Sequence, residues 1–210
     1  MRRIALVLGL CTLLLPMAAW ADIVNLTNES GSVTITDAGI ATNWSELTGF
    51  SHTWRHAPPG HDLGSLSFST GTLVSGSLFG GGIFSGTGSS FDVIGSGKYG
   101  VPKGSIFSGS FDGPIYWTLI SHTGGNFVFD LSGELSGTLY NGRSIYGATE
   151  QTIYVNRNQW NQTERGHLQS GHTNLGAQVI FWAEPGTLGL SATGLIMIVA
   201  ITMRRKFIRA

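Results

Sequence analysis

The histidines of this chain are the side chains that could bind a transition metal. Five of the six form two groups, His52, His56 and His61 in one, and His167 and His172 in the other. Three imidazoles could hold a zinc ion if they converged on one point. The run Pro58-Pro59-Gly60 predicts a loop, and along a strand His52 and His56 would lie about 13 Å apart, too far for one ion. We therefore predict solvated loop histidines, with no bound metal and no cofactor.

Carboxylates and nucleophiles are the next candidates for catalysis. Asp130 and Glu134 are the closest pair of carboxylates that the sequence places on strands. A glycosidase needs two carboxyl groups roughly 5–9.5 Å apart in a cleft, and the sequence does not establish such convergence. No serine lies in a Gly-x-Ser-x-Gly motif, and the single cysteine, Cys11, lies near the N-terminus. We predict solvated carboxylates, no catalytic residues and a protein that is not an enzyme.

Exposed aromatic side chains could bind sugars, because the face of an aromatic ring packs well against an apolar surface. Trp117 alternates with Leu119, and this spacing assigns it to the core. Trp160 lies in the polar run Asn156–Gln162 and is the best placed tryptophan for a ligand contact. It supports an alternative function, a carbohydrate-binding module, with glycan processing as a further variant.

The elements that would position these residues are β-strands. Gly64–Gly71 alternates strictly, with Leu66 and Phe68 on one face and serines on the other. Ser32–Thr36 has the same period of two, which is typical of a half-buried strand. Outside the two ends of the chain, no window of eleven residues has helical periodicity.

Further strands and turns follow along the chain. The runs Ile115–Ile120 and Phe127–Leu131 flank a Gly-Gly-Asn loop, which predicts a hairpin. Thr149–Val155 and Gly176–Trp182 are two more strand candidates. The polar segment Glu164–Asn174 is predicted to form a long loop before the last of them.

A short motif, Ser-Gly-Ser/Thr between apolar residues, recurs in this part of the chain. It occurs in Leu73–Leu78, Ile83–Thr87, Ile106–Phe111 and Glu134–Leu139. Glycine inside a strand indicates a bend or a close approach. A stacked solenoid would need a fixed repeat length, and the spacing varies. We therefore predict an antiparallel β-sandwich or jelly-roll-like domain over residues 22–182.

The N-terminus has the features of a secretory signal peptide. Arg2-Arg3 supply positive charge, Ile4–Leu15 is an apolar run, and Ala19 and Ala21 provide the small residues of a cleavage site. The run is short for a bilayer, which disfavours an uncleaved anchor helix. We predict that residues 1–21 are removed during export through the secretion translocon.

The C-terminus has a second apolar segment. Leu188–Met203 contains no charged residue and would form a helix about 24 Å long, against roughly 30 Å of hydrocarbon. Arg204, Arg205 and Lys206 follow it directly and would hold the end of the chain on the cytoplasmic side. Four cations within six residues disfavour a buried core helix, so we predict a transmembrane helix over residues 188–203.

Residues 183–210 resemble the PEP-CTERM sorting signal, in which a Pro-Glu-Pro motif precedes a membrane helix and a basic tail. The matching residues are Glu184, Pro185, Gly186 and Thr187, with Ala183 in place of the first proline. The resemblance implies recognition by an exosortase, a membrane enzyme of Gram-negative bacteria that make exopolysaccharide. The region before this tail also resembles uncharacterised secreted β-domains that precede it in other proteins.

The charge of the region between the two ends limits its partners. Residues 22–183 contain six lysines and arginines and eleven aspartates and glutamates, a net charge of −5, which does not suit nucleic acid. We expect an exported protein that passes through the inner membrane to the cell envelope or extracellular matrix. Its predicted role is structural or adhesive, with exopolysaccharide as a partner.

Overall fold

The computed structural model describes residues 23–52, 55–60, 62–158 and 164–176. Within these ranges thirteen strands form one antiparallel sheet. They are β1 (Ile23–Glu29), β2 (Ser32–Thr36), β3 (Gly39–His52), β4 (Arg55–His56), β5 (Gly64–Ser69), β6 (Leu73–Ser77), β7 (Gly81–Phe84), β8 (Ser90–Ser96), β9 (Lys103–Phe111), β10 (Ile115–Thr123), β11 (Asn126–Leu139), β12 (Ser144–Asn156) and β13 (Arg165–Gly176). The predicted all-β, antiparallel architecture is confirmed for this part of the chain.

Eight of these strands close into a barrel. Around the wall they run β1, β3, β5, β8, β9, β11, β12 and β13, and β13 pairs back to β1. β2 occupies the same place in the barrel wall as β1, between β3 and β13, because it pairs with both of these strands. β10, β7 and β6 extend the sheet outward from β11. The N–H of Leu73 donates to the carbonyl of Asp37 in the β2–β3 turn and ties β6 back to the barrel.

The sandwich or jelly-roll shape predicted from the sequence is not confirmed, because the strands close into a single barrel. The predicted faces are correct: Leu66 and Phe68 are buried, as are Val33 and Ile35. Alternation identifies which side chains face the core, but it does not identify which strands are neighbours. Closure also pairs sheet edges that an open sheet would leave exposed.

Phenylalanine rings fill much of the interior. Phe68 and Phe91 stack with centroids 6.2 Å apart, and Phe111 meets them edge-on at 6.5 and 5.8 Å. The Ser-Gly-Ser/Thr motif serves this packing, because Gly109 and Gly137 are partners across β9 and β11. A Cβ on either glycine would lie 2.8 or 2.7 Å from Cζ of Phe107. The motif therefore marks a close approach inside the sheet.

The predicted hairpin is confirmed, and the loop predicted over Glu164–Asn174 is wrong. β10 and β11 pair around Gly124 and Gly125, whose φ angles of 60° and 84° suit a tight two-residue turn. The segment predicted as a loop, Glu164–Asn174, instead lies almost wholly within β13. The strand predicted over 176–182 lies outside the described residues apart from Gly176.

Candidate functional site

The sheet forks along β11. Its first half pairs with β10, ending at the pair Tyr116 and Ser132, and its second half pairs with β9 from Leu135 onward. At the fork the N–H of Asp112 donates to the carbonyl of Glu134, 2.9 Å away. The fork opens a depression of about 470 Å³ on the outer wall of the barrel. We call this depression the outer trough.

Two rows of outward side chains line the outer trough. The first row runs across four neighbouring strands and contains Tyr116, Ser132, Glu150 and His172. Adjacent strands lie about 4.8 Å apart, so this row is roughly 14 Å long. The second row consists of three side chains, Glu134, Ala148 and Asn174.

Two small residues shape the wall at the trough, one by its packing on the core and one on the outer face. A Cβ at Gly133 would lie 2.8 Å from Cδ1 of Phe111, so glycine at the fork lets that ring pack beneath the wall. Ala148 is the shortest side chain of the second row and leaves space between Glu134 and Asn174. A second depression, of about 490 Å³, shares Asp112 and Pro114 with the trough.

The outer trough is acidic. Asp112, Glu134 and Glu150 are exposed along it, and no lysine or arginine is among the described residues that line it. His172 is the only basic side chain in the same set. The local field therefore disfavours anionic ligands and favours neutral or amine-bearing ones.

Asp130 lies on the outer face of β11, two residues before Ser132. Burial and, to a smaller extent, the nearby Glu150 carboxylate together raise its pKa to about 6, although a hydrogen bond from the Ser132 side chain opposes them. Its Oδ1 atom is buried and accepts no hydrogen bond from the described residues. The ionised carboxylate is therefore poorly solvated at this position.

Replacing Asp130 with asparagine is expected to stabilise the protein above pH 6 and to change little near pH 4. The folded state raises the pKa from 3.8 to about 6, so the protein loses stability as the pH rises through about 6. Because the carboxyl group is partly exposed, solvent screening limits the gain to about 1 kcal/mol. Urea unfolding of Asp130→Asn and of the wild type at pH 8 and pH 4 measures this difference in the free energy of unfolding. Asp112→Asn is the control. An equal stability difference at both pH values would contradict this account.

The two strand carboxylates that were considered as a glycosidase pair do not form a cleft. Asp130 and Glu134 lie on the same face of β11, but four residues along a strand separate them by roughly 13 Å, beyond the distance that glycosidases use. The carboxylate that influences Asp130 is Glu150 of β12. This partner is distant in sequence and could not be inferred from spacing.

The histidines do not converge in the described part of the chain. His52 and His56 lie in a short β3–β4 ladder, so the predicted loop is wrong at these two positions. The Tyr140 hydroxyl lies 3.2 Å from Nδ1 of His52, and the Ser51 hydroxyl lies 2.8 Å from Nδ1 of His56. His167 and His172 both lie on β13, roughly 16 Å apart along the strand. Among the described residues, no three His, Cys, Asp or Glu side chains are arranged to hold a metal ion.

Several predicted site residues lie outside the described residues. These are Ala19, Ala21, Trp160, Glu184, Pro185, Gly186, Thr187, Arg204, Arg205 and Lys206. His61 and the predicted helix 188–203 also lie outside them. Within the ranges that are described, no helix has the length and apolar character needed to cross a bilayer.

The sequence did not indicate the outer trough as a site, although Glu134 and His172 were considered for other chemistry. Tyr116, Glu150, His172 and Asn174 come from three strands that are distant in the chain, and only the register brings them together. One local signal was present: Tyr116 precedes the buried Trp117, so alternation places a large aromatic ring on the outer face.

Comparison with known proteins returns no match to a family model, a curated protein or a solved structure.

Proposed function

We propose that this chain is an exported structural or adhesive protein of the cell envelope or extracellular matrix of a Gram-negative bacterium. One observation carries the proposal: a signal-peptide pattern that ends at Ala19 and Ala21 is combined with a Glu184-Pro185 motif before an apolar, cation-ended tail. The β-domain between the two ends contains no cysteine, which suits this destination because its folding does not depend on the redox state outside the cytoplasm.

The proposed route uses each end in turn. Residues 1–21 engage the translocon, and the helix over residues 188–203 then holds the chain in the inner membrane. Arg204, Arg205 and Lys206 keep the tail on the cytoplasmic side. An exosortase-type enzyme recognises Glu184-Pro185-Gly186-Thr187 and separates the barrel from the tail.

Fractionation of cells that express the full chain tests this route, with an antibody against the barrel. We expect a processed form in the envelope or medium, and retention of uncut chain in the inner membrane when Pro185 is replaced with alanine. The matched control is Ala183→Pro, which restores the first proline of the motif and should preserve processing. Stable full-length protein in the cytoplasm would overturn the proposal.

A second candidate function is carbohydrate binding in the outer trough. Tyr116 is 49% exposed on the trough wall, where its ring can pack against a sugar. Ser132, Glu150 and Asn174 supply hydroxyl, carboxylate and amide groups along the same wall, and these suit sugar hydroxyls. The acidic lining favours a neutral or amine-bearing glycan over an acidic one.

Replacing Tyr116 with alanine is expected to weaken glycan binding about tenfold or more, because the ring supplies the apolar contact. Tyr116→Phe should retain binding. Tyr146→Ala is the matched control, since Tyr146 is 51% exposed but does not line the trough. Affinity measurements with soluble chitosan and dextran compare the variants. Equal affinities for Tyr116→Ala and Tyr146→Ala would exclude the trough as the binding site.

A further inference from the structure

A separate depression of about 320 Å³ lies on the outer wall where β2, β3 and β13 meet. Its lining residues are Ser32, Thr34, Ala41, Asn43, Trp44 and Arg165. Trp44 is 52% exposed, an unusual position for so large an apolar ring. We call this depression the Trp44 site.

The fold holds the backbone of Trp44 in place. β3 pairs with β5 at Thr42 and next at Ser45, so Asn43 and Trp44 form a bulge between these two positions. The Thr42 hydroxyl donates to the carbonyl of Trp44, 3.0 Å away. On the other side, Gly31 has a φ of +129°, and a Cβ there would lie 2.5 Å from the same carbonyl oxygen. A bulge re-aims a side chain, and this one directs the indole outward.

The chemistry of the Trp44 site is opposite to that of the outer trough. Arg165 pairs with Thr34 across β13 and β2, and its exposed side chain lines the depression. None of the described residues that line the site is acidic. Asn43 and Thr34 add an amide and a hydroxyl, so the site combines an aromatic ring, a cation and hydrogen-bonding groups.

We propose that the Trp44 site binds an acidic sugar residue, such as a uronic acid in an anionic polysaccharide. The indole would pack against the sugar ring, and the Arg165 guanidinium would pair with the carboxylate. A single cation matches one carboxylate on a sugar and not the repeated phosphates of a nucleic acid. The inference rests on the proposed matrix role and gives that role a defined ligand class.

The position of the Trp44 site also makes the barrel bivalent. Arg165 and His172 lie on the same strand, seven residues and therefore roughly 23 Å apart. One site is cationic and the other acidic, so they select different saccharides. A barrel with both sites can join two kinds of polymer chain.

Isothermal titration of the purified full chain with polygalacturonate, and with dextran as the neutral probe, tests the proposal. We expect binding of polygalacturonate over dextran, and at least about a tenfold loss of affinity in Trp44→Ala. Arg165→Gln should lose affinity for polygalacturonate and most of its dependence on salt, whereas Arg165→Lys should retain part of both. Tyr146→Ala should bind polygalacturonate like the wild type, because Tyr146 is exposed but lines neither the Trp44 site nor the outer trough.

Thermal unfolding confirms that each variant is folded before titration. The proposal is overturned if the folded wild type does not bind polygalacturonate, or if Trp44→Ala and Arg165→Gln both bind it with unchanged affinity. Binding that depends on Tyr116 but not on Trp44 would also overturn it. The cell fractionation described above tests the matrix role separately, so a failure of that role is distinguished from a failure of the Trp44 site.

Discussion

Replacing Trp117 with alanine is expected to destabilise the protein by about 3–5 kcal/mol. The indole is 1% exposed and stacks on Phe129, with ring centroids 4.2 Å apart and planes 11° apart. Its Nε1–H donates to the carbonyl of Leu78 in the β6–β7 turn, 2.8 Å away. The side chain therefore joins the β10–β7–β6 extension to the core, and its removal leaves a cavity and an unpaired carbonyl.

Urea unfolding of Trp117→Ala measures this loss. Trp117→Phe keeps an aromatic ring but not the hydrogen bond to Leu78, so its effect should be smaller, about 1–3 kcal/mol. Tyr116→Ala, one residue away on the exposed face, should lie within about 0.5 kcal/mol of the wild type. A Trp117→Ala variant as stable as Tyr116→Ala would show that the extension does not pack as described.

Replacing Gln151 with methionine is expected to destabilise the protein by about 1–3 kcal/mol, although methionine is similar in size. Gln151 is fully buried and bonds reciprocally with Asn28, at 2.9 and 3.3 Å. Its amide also donates to Thr149, which shares a hydrogen bond of 2.8 Å with Thr173. This network links β1, β12 and β13 inside the barrel, and the loss of one amide leaves its partners unsatisfied.

A double-mutant cycle isolates this coupling. Asn28→Leu alone leaves the Gln151 amide short of a partner, whereas Asn28→Leu with Gln151→Met removes both members of the pair. The double variant should therefore cost less than the sum of the single variants. Gln169→Met on the exposed face of β13 is the matched control. Strict additivity of the two single effects would indicate that the pair does not interact.

The same network explains why β13 was not recognised from the sequence. Its inward positions include Gly171 and Thr173, which belong to the polar interior, and Leu168 and Leu175 are its only large apolar residues that face inward. A Cβ on Gly171 would collide with the Gln151 amide, so glycine is required where a strand pattern would show an apolar residue. Strands such as Ser32–Thr36, with apolar inward residues, were predicted correctly.

The two surface sites depend on information that local patterns do not contain. The outer trough arises because β11 changes partner at Gly133, and the Trp44 site arises because two residues bulge from β3. Both are properties of strand register. The residue type of Trp44 does not indicate whether its ring is buried or exposed. Its exposure follows from the bulge, which the sequence pattern does not reveal.

The intact mass of the extracellular or envelope-bound form tests the proposed export and processing together. We expect a chain that begins at Asp22 and lacks the segment from Arg204 to Ala210, because the proposed export would remove one end and the proposed sorting step the other. A mass that includes both terminal segments would contradict export and processing together.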